Sequence, residues 1–396
     1  MMAIGKNKTR LNQRNLLLLT SLSLFMSLSL CLKGQPLPQT SRQAKNVIYL
    51  IGDGMSLPQI YGAMLATGRD LSFKQFPYCG IVTTRSASNE ITDSAASGTA
   101  LSCGKKTKNG MVGMDPDSIP VKSVLEAMAE QGKMTGIVVT SYVTHATPAV
   151  FYAKVPKRSY YEDIAVQLLN SDKVNVIIGG GRKYFNQRKD GRDLIEEMQN
   201  KGWKVYDTLA NIDVANSKYA VLANEGHMPS AVSRGDFLPE ATKTALQTLS
   251  KHEKGFFMMV EGSQIDFACH ESDSATMVAE MLDFDKTLRV ALDFAQKDGN
   301  TLVVVTADHE TGGLTMIDPQ GRYSSPCFSF STHSHTCLPV AVFAFGPGAE
   351  QFTGWMDNTE IVGKIMNACG FEALDATPSA KQELAPIREN FDSKRE

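Results

Sequence analysis

The residues best suited to chemistry lie where apolar strands end. Four segments each end a predicted strand in groups that bind metal or phosphate: at Asp53, at Glu261, at Asp308-His309 and within residues 332–336. A carboxylate at the end of an apolar strand is costly to bury unless a cation meets it. Because the carboxyl ends of parallel strands share one sheet edge, these segments indicate a site for several metal ions there.

Spacing supports this interpretation at two of the segments. If Asp266 opens a helix, His270 lies one turn later on the same face, which is a zinc-chelating geometry. A hydrogen bond between the two side chains without metal is the alternative. At Asp308-His309, neighbouring side chains of an extended strand point in opposite directions, so both can serve one metal only where the strand ends. Asp308 alternatively caps the next helix.

A run of small residues at positions 92–100 contains a candidate nucleophile. Ser94 at a helix N-terminus would lie in the field of unpaired N–H groups, which favours an alkoxide and a bound anion. Serine and aspartate are also preferred helix caps. From these residues alone, a cap and a nucleophile are equally supported.

The elements that must position these groups alternate between strand and helix. Predicted helices cover residues 123–130, 161–169, 194–199, 242–250 and 277–294, and predicted strand segments cover residues 47–54, 135–140, 174–178, 203–206, 256–262, 301–309 and 339–345. This alternation predicts an α/β fold with a doubly wound, mostly parallel central sheet and helices on both faces. Residues 182–240 are more polar and less regular, which predicts a small insertion at about those positions.

Length and composition are those of an ordinary globular protein. The 396 residues are 42% hydrophobic and 21% charged, with a net charge of -2. This length fits one large α/β domain or two smaller ones; we predict a single domain at residues 44–375 and a charged C-terminal tail at residues 376–396. The near-zero net charge provides no basic field for nucleic acid. Nothing after about residue 35 is long and apolar enough to span a membrane.

The N-terminus predicts export. Lysines and arginines at positions 6–14 precede a run of Leu, Ser, Met and Phe at positions 16–32, which is typical of a signal peptide over residues 1–34, cleaved after Gly34. A retained membrane anchor is the alternative. A lipoprotein at Cys31 is disfavoured because Leu30 is too large for the small residue usual there. The product would be periplasmic or secreted, and an exported chain could pair some of its six remaining cysteines.

Together these motifs carry a family resemblance. They are Ile51-Gly52-Asp53-Gly54-Met55, Thr92-Asp93-Ser94-Ala95-Ala96, Ala146-Thr147-Pro148, Glu261 through His270, Thr306-Ala307-Asp308-His309-Glu310 and His335-Thr336. In this order, and over residues 45 to 370, the chain resembles the alkaline phosphatase family. Each motif alone is weak, but six in order make coincidence improbable.

The resemblance implies a role for each matching position. Ser94 would accept the phosphoryl group and Arg158 would grip the phosphate. A first zinc would be held by Asp266, His270 and His335, and a second, beside Ser94, by Asp53, Asp308 and His309. A third site, normally magnesium, would use Asp53, Thr147 and Glu261. Arginine suits the phosphate because its planar fork gives two parallel hydrogen bonds.

Two positions depart from one well-known version of the family pattern, and one assignment needs a choice. His145 stands where some members have Asp, and Phe267 where some have Lys; both neighbour the third site or the phosphate. His145 adds no negative charge, so we expect weaker magnesium binding, with zinc or cobalt as competitors.

His335 is preferred to His333 as the zinc ligand because Thr follows it, with an apolar strand soon after. His227 and His252, in polar surroundings, are predicted as surface residues.

The resemblance implies an exported phosphomonoesterase that uses two zinc ions, one magnesium ion and a phosphoserine intermediate. Its partners would be small phosphate monoesters and product phosphate, with no nucleic-acid-specific binding, no membrane span after cleavage and a possible homodimer. The alternatives are a phosphodiesterase, phosphonate hydrolase or sulfatase of the same superfamily, although the sulfatase motif is absent. A non-catalytic periplasmic phosphate or zinc carrier is the alternative from another class, and a carrier needs no nucleophile such as Ser94 beside its metal sites.

Overall fold

A large, mostly parallel sheet organises the computed structural model, which describes residues 42–318 and 327–374. Ten strands pair in the order β14-β2-β13-β8-β1-β7-β3-β4-β6-β5. Among these, β13 alone runs antiparallel, to β8 on one side and to β2 on the other. Two small two-stranded sheets, β10-β11 and β12-β9, stand outside the main sheet.

The strands and helices are numbered in the order in which they occur along the chain. The strands are β1 Asn46–Gly52, β2 Tyr78–Thr83, β3 Met134–Tyr142, β4 Val176–Gly180, β5 Lys204–Tyr206, β6 Tyr219–Leu222, β7 Phe256–Gly262, β8 Thr301–Thr306, β9 Glu310–Thr311, β10 Leu314–Ile317, β11 Cys327–Phe330, β12 His335–Thr336, β13 Val340–Phe345 and β14 Gly354–Asp357. The helices are α1 Leu57–Thr67, α2 Ser94–Cys103, α3 Val124–Glu130, α4 Ala146–Ala149, α5 Tyr161–Asn170, α6 Lys183–Asn186, α7 Leu194–Asn200, α8 Ala231–Arg234, α9 Phe237–Leu249, α10 Gln264–His270, α11 Ser274–Asp298 and α12 Glu360–Ala368.

Both faces of the sheet are covered, as two adjacent residues of β7 show, since neighbouring side chains of a strand point to opposite faces. On β7, Phe256 meets Phe294 of α11 with ring centroids 5.8 Å apart. The next residue, Phe257, meets Phe151 at 6.2 Å. Strands buried on both faces read as continuous apolar runs, and β1, β7 and β8 are buried along their whole lengths. The predicted α/β fold class is therefore confirmed.

The predicted elements lie where the alternation placed them, and several others were missed. β2, β6 and β14 had no counterpart in the prediction, and neither did α1. Residues 182–240, predicted as an insertion, contain α6, α7, β5, β6 and α8, and β5 and β6 extend the central sheet at one end. β5 and β6 have only three and four residues, which is too short for a periodic pattern, and this explains why the segment seemed irregular.

Some predictions fall on residues that the structure does not describe. The predicted signal peptide and the whole of the predicted charged tail lie outside the described residues. Across 42–318 and 327–374, no helix has the length and apolar character that crossing a bilayer requires. The six cysteines in these ranges are all unpaired, so the disulfides that an exported chain could form are not found among them.

Candidate active site

The first group of candidate metal ligands joins α10 to the small strand β12. Asp266 Oδ1 lies 3.3 Å from His270 Nε2 and 3.6 Å from His335 Nε2. The two imidazole Nε2 atoms are 3.2 Å apart. Asp266 and His270 occupy successive turns of α10, as the spacing predicted. His333 is exposed, and its side chain is not in this group.

The hydrogen bonds around these histidines suit a cation at the centre. His335 Nδ1 lies 2.9 Å from the carbonyl of Thr92, and His270 Nδ1 lies 2.6 Å from the carbonyl of His333. A carbonyl only accepts, so each Nδ1 must carry a proton, and Nε2 is the atom that each neutral ring can offer to a metal. When both rings are neutral, their Nε2 lone pairs face each other beside a carboxylate, an arrangement that a cation between them would stabilise. Three ligands of this kind fit zinc, and the outer carbonyls fix their orientation.

A second group is formed where β1 and β8 end side by side. His309 Nε2 lies 3.2 Å from Asp308 Oδ2 and 3.5 Å from Asp53 Oδ1, and all three side chains are fully buried. Both of these carboxylate oxygens have no hydrogen-bond partner. Burial raises the pKa of Asp53 well above its ordinary value, and the neighbouring Asp308 raises it further. Buried carboxylates left in this state require a cation to remain ionised.

Gly54 explains how the first two groups can approach each other. Its φ of +73° is in the left-handed region, and a Cβ there would lie 2.8 Å from the Cα of Asp266. Its backbone N–H also donates to Asp308 Oδ1 at 3.2 Å. A larger residue would therefore separate the segment that carries Asp53 from the helix that carries Asp266.

A third group shares Asp53 with the second. Asp53, His145 and Glu261 each offer one ligand atom, and these atoms lie within 4.8 Å of one another. Thr147 Oγ1 lies 3.3 Å from the second oxygen of Asp53. Glu261 Oε1 and His145 Nδ1 are buried and have no hydrogen-bond partner. Burial raises the pKa of Glu261 to about 8, so this carboxylate is costly to ionise without a cation.

The candidate nucleophile lies at the start of α2. Asp93, not Ser94, is the N-cap: its Oδ1 accepts from the N–H of Ala96 at 2.9 Å. Ser94 is the first helical residue, is 2% exposed, and places Oγ 3.3 Å from His309 Nε2 of the second metal group. The small residues of α2 allow close packing, since a Cβ on Gly98 would already press on Val150 at 3.2 Å.

Arg158 is held beside the nucleophile by two side chains. Its Nη1 donates to Asp93 Oδ2 at 3.0 Å, and its Nη2 lies 3.2 Å from His145 Nε2. Arg158 donates there, so Nε2 of His145 is an acceptor. Asp93 therefore orients the predicted phosphate ligand and caps the helix of the predicted nucleophile, a coupling that the sequence motif did not reveal.

Sequence reasoning also missed the residues that position the ligand strands. Glu310 is fully buried and accepts from Gln59 Nε2 at 2.9 Å, from the N–H groups of Gly313 and Leu314, and from Thr336 Oγ1. Glu310 follows His309 and Thr336 follows His335. The hydrogen bond from Thr336 to Glu310 therefore holds together the two segments that carry these candidate ligands. The only available signal was their position next to the histidines.

The prediction of a simple surface position is wrong for His227. It is half-buried, stacks on Tyr142 with ring centroids 3.5 Å apart, and lies 4.8 Å from the ring of Phe267. Burial lowers the pKa of His227 to about 4, with a further contribution from Lys183. Tyr161 and Tyr184 pack on the far side of Tyr142, at 5.6 Å and 5.1 Å. These five rings, Tyr142, Tyr161, Tyr184, His227 and Phe267, are called the aromatic wall below.

Comparison with known proteins identifies the family. The alkaline phosphatase family model matches residues 44–327. The chain is 39% identical to alkaline phosphatase 4 of Bacillus subtilis, over 70% of this chain and 64% of that protein, and 33% identical to alkaline phosphatase 3 of the same organism, over 82% and 89%. The alkaline phosphatase structure from the Antarctic bacterium TAB5 is 41% identical, with a TM-score of 0.80 over 83% of this chain and 99% of that one. The predicted family and enzyme class are thus confirmed: the chain belongs to the alkaline phosphatase family.

Proposed function

We propose that this chain is an exported phosphomonoesterase that transfers the phosphoryl group of its substrate to Ser94 and then to water. The observation that carries the proposal is the position of Ser94 Oγ, at the N-terminus of α2 and 3.3 Å from His309 of the second metal group. A phosphate or zinc carrier has no use for a hydroxyl group placed in this way.

The donor sets support two zinc ions and one magnesium ion. Asp266, His270 and His335 would hold the first zinc, and Asp53, Asp308 and His309 the second. Asp53, Thr147 and Glu261 would hold magnesium, with His145 beside them. When bound, these ions supply positive charge that lowers the pKa of the serine hydroxyl and neutralises the departing oxygen.

The residues of the chain then have separate tasks. Ser94 Oγ forms a bond to phosphorus as the ester P–O bond breaks, and the departing oxygen takes up a proton to give an alcohol. Arg158 holds the phosphate oxygens with its guanidinium fork, fixed by Asp93. Water then hydrolyses phospho-Ser94 to serine and inorganic phosphate. Because the transition state is loose and anionic, positioning and charge account for most of the rate.

The third site of this chain should bind magnesium weakly. His145 lies among its candidate ligands and adds no carboxylate oxygen, whereas magnesium favours oxygen ligands. Two variants of the TAB5 enzyme, with histidine changed to aspartate or to glutamate, are described with magnesium bound in the M3 site. We propose that His145 occupies the corresponding position, so that zinc or cobalt competes with magnesium there.

The remaining parts of the proposal concern the setting of the enzyme. The product of signal-peptide cleavage would be periplasmic or secreted and could form a homodimer. Small phosphate monoesters would be its substrates, since the proposed nucleophile and the proposed arginine both act on the phosphate group. A phosphodiesterase or phosphonate hydrolase would differ in substrate, so both substrate classes are assayed beside the monoesters.

The test is to trap the intermediate. Protein loaded with zinc and magnesium is mixed with a phosphate monoester, quenched in acid and digested, and the peptide that contains Ser94 is weighed. We expect a gain of one phosphoryl group at Ser94, and phosphate release that stops with chelator. Rapid turnover without any phosphorylated peptide would refute the covalent route, and phosphate binding without turnover would favour the carrier.

A further inference from the structure

The carboxyl edge of the sheet extends beyond the metal groups. Asp53, Asp308 and the segment after Glu261 follow β1, β8 and β7. The next strands along the sheet are β3, β4 and β6. Tyr142 ends β3, Tyr184 follows β4, and His227 follows β6. In doubly wound sheets, ligands bind in the crevice outside the carboxyl ends of the strands. The aromatic wall therefore lies where a ligand that begins at the metals would continue.

The wall is also continuous with the predicted phosphate ligand. Arg158 Nη2 lies 3.2 Å from His145 Nε2, and the His145 ring lies 5.9 Å from Phe267 and 5.6 Å from His227. His227 stacks on Tyr142 at an interplanar angle of 16°. Only one or two ring widths thus separate the phosphate arginine from the stacked pair. A substrate held by its phosphate would bring its alcohol part beside these rings.

The exposure of the wall differs from that of the aromatic core. Tyr49, Phe151 and Phe257 pack on one another and are completely buried. All five rings of the wall remain partly exposed, although they contact one another at 3.5 to 5.6 Å. Lys183 Nζ lies 5.1 Å from the ring centroids of both Tyr142 and Tyr184. The result is a row of ordered, partly open aromatic faces with a cation beside them.

We propose that the aromatic wall is a binding subsite for planar, aromatic leaving groups, so that nucleoside monophosphates are preferred among the phosphate monoesters. A nucleobase supplies a flat π-surface that stacks on any aromatic ring. The ordered wall loses little rotamer freedom on contact, because its rings already fix one another. This inference rests on the proposed phosphomonoesterase function and adds a substrate class to it.

The test uses two substrates that differ only in the base. Adenosine 5′-monophosphate and ribose 5-phosphate both release a primary alcohol of the ribose, so their phosphoryl chemistry is closely matched. The measured quantity is the ratio of their kcat/KM values on one preparation. This ratio cancels any difference in the fraction of active or metal-loaded enzyme. We expect the wild-type ratio to exceed one by about 3- to 10-fold, the size of an aromatic contact.

Tyr184 offers the cleanest substitution, because it contacts Tyr142, Tyr161 and Lys183 and none of the predicted metal ligands. Tyr184→Ala should bring the ratio close to one, and Tyr184→Phe, which keeps the ring, should restore most of it. Tyr78→Ala is the matched control: Tyr78 is 37% exposed and begins β2, at the opposite edge of the sheet. The control should keep the wild-type ratio.

A second measurement does not depend on a variant that folds. Adenosine should inhibit the wild-type hydrolysis of ribose 5-phosphate competitively, and ribose at the same concentration should not. A wild-type ratio near one, or adenosine inhibition no stronger than that of ribose, would overturn the subsite, since the rings would then only pack on one another. Failure to hydrolyse either ester would instead overturn the proposed function.

Discussion

The metal groups and the aromatic wall lie on the same edge of one sheet, yet they are held together in different ways. At the ends of β8, β1 and β7, the oxygens Asp53 Oδ1, Asp308 Oδ2 and Glu261 Oε1 are buried with no hydrogen-bond partner. At the ends of β3, β4 and β6, the rings of the wall satisfy one another by contact. The metal groups form the metal half of this edge, whose buried carboxylates we propose are stabilised by ions, and the aromatic wall forms the aromatic half, whose ring contacts involve no ion. Chelation should therefore damage one half and leave the other in place.

The first prediction tests whether the metal half performs covalent chemistry. Ser94→Ala should lower kcat by several orders of magnitude, because it removes the oxygen that we propose accepts the phosphoryl group. Zinc content and phosphate binding should persist, since no ligand is removed. Turnover assays measure kcat, and metal analysis of the same preparation measures its zinc content.

Ser97→Ala provides a matched control for this substitution. Ser97 lies on the same helix, where its Oγ donates to the carbonyl of Asp308 at 2.6 Å. We expect it to lower stability while leaving a phosphorylated peptide detectable. If Ser94→Ala retained a near-normal kcat, phosphoryl transfer through Ser94 would be wrong, although a small residual hydrolysis is compatible with it.

A second prediction separates two histidines that lie two residues apart. His335→Ala should lose first-site zinc and most activity, as should His270→Ala, because each removes one of three ligands. Asp308→Ala should do the same at the second site. His333→Ala should keep full zinc, since its exposed side chain lies outside the group. Mass spectrometry under native conditions counts the ions. Full zinc in the His335 variant and loss in the His333 variant would reverse the assignment.

The third prediction concerns the arginine at the border of the two halves. Arg158→Ala should cost about 1.5–3 kcal/mol in kcat/KM and in phosphate inhibition, the value of a bidentate charged contact. Its zinc content should stay full, which distinguishes it from the ligand variants. Arg289→Ala, a 59% exposed arginine on α11, serves as the control. An unchanged inhibition constant for phosphate would show that another arginine holds it.

The dependence of the metal half on ions also predicts a pH effect on stability. Burial raises the pKa of Glu261 to about 8, and the hydrogen bond to Asp266 raises the pKa of His270 to about 9. Glu261, with an ordinary pKa of 4.5, holds more protons folded than unfolded between about pH 4.5 and 8, and His270, with an ordinary pKa of 6.5, does so between about pH 6.5 and 9. The stability that each group contributes therefore falls as pH rises through its window. His335, whose pKa burial lowers to about 4, has the opposite effect only below its ordinary value of 6.5.

Thermal unfolding of chelated protein measures this effect, with zinc-loaded protein as the reference. The Tm of the chelated form should fall between about pH 6.5 and about pH 9, and the loaded form should fall less, because its ligands are already deprotonated at both values. The stabilisation by zinc therefore grows with pH. Equal zinc-induced shifts at the two pH values would contradict the pKa shift of His270, the group of this pair that is a proposed zinc ligand.

The two halves also differ in how far the sequence could predict them. The candidate ligands of the metal half can be recognised from short sequence motifs, each at a strand or helix end. These motifs are Asp53 before Gly54, Asp266 four residues before His270, and Asp308 beside His309. The aromatic wall has no such motif, because Tyr142 ends β3, Tyr184 lies in α6 and His227 lies in the segment after β6, and each is an ordinary residue in its own segment. Only the order of β3, β4 and β6 in the sheet brings them together, and β6 itself was missed.

The same limit applies to the network around Glu310. The acidic residue was visible beside His309, but its partners Gln59, Gly313 and Thr336 become neighbours only after α1 and the small sheets have folded. Local spacing predicts ligands that share one element. It cannot predict contacts whose sequence separation exceeds 250 residues, as between Gln59 and Glu310.

The smallest expected effects lie where the two halves touch, at His145 and Phe267. Phe267 belongs to the wall, and its ring lies 5.9 Å from that of His145. Phe267→Lys should tighten phosphate inhibition by at most about fivefold, the size of a partly exposed charge pair. His145→Asp should raise magnesium affinity, because a hard oxygen donor suits that ion. Phosphate inhibition and magnesium titration measure the two effects.

The two substitutions must be combined in a double-mutant cycle, since neighbouring groups in one pocket need not act additively. An added carboxylate would bind the new lysine as well as magnesium, so we expect the double variant to gain less phosphate affinity than Phe267→Lys alone. Phe267→Leu, which removes the ring without adding charge, isolates the electrostatic part. The difference in phosphate affinity should be largest at low ionic strength, because the charge of the new lysine is then least screened. If Phe267→Lys binds phosphate no better than Phe267→Leu under these conditions, Phe267 does not face the phosphate, and it belongs to the aromatic half alone.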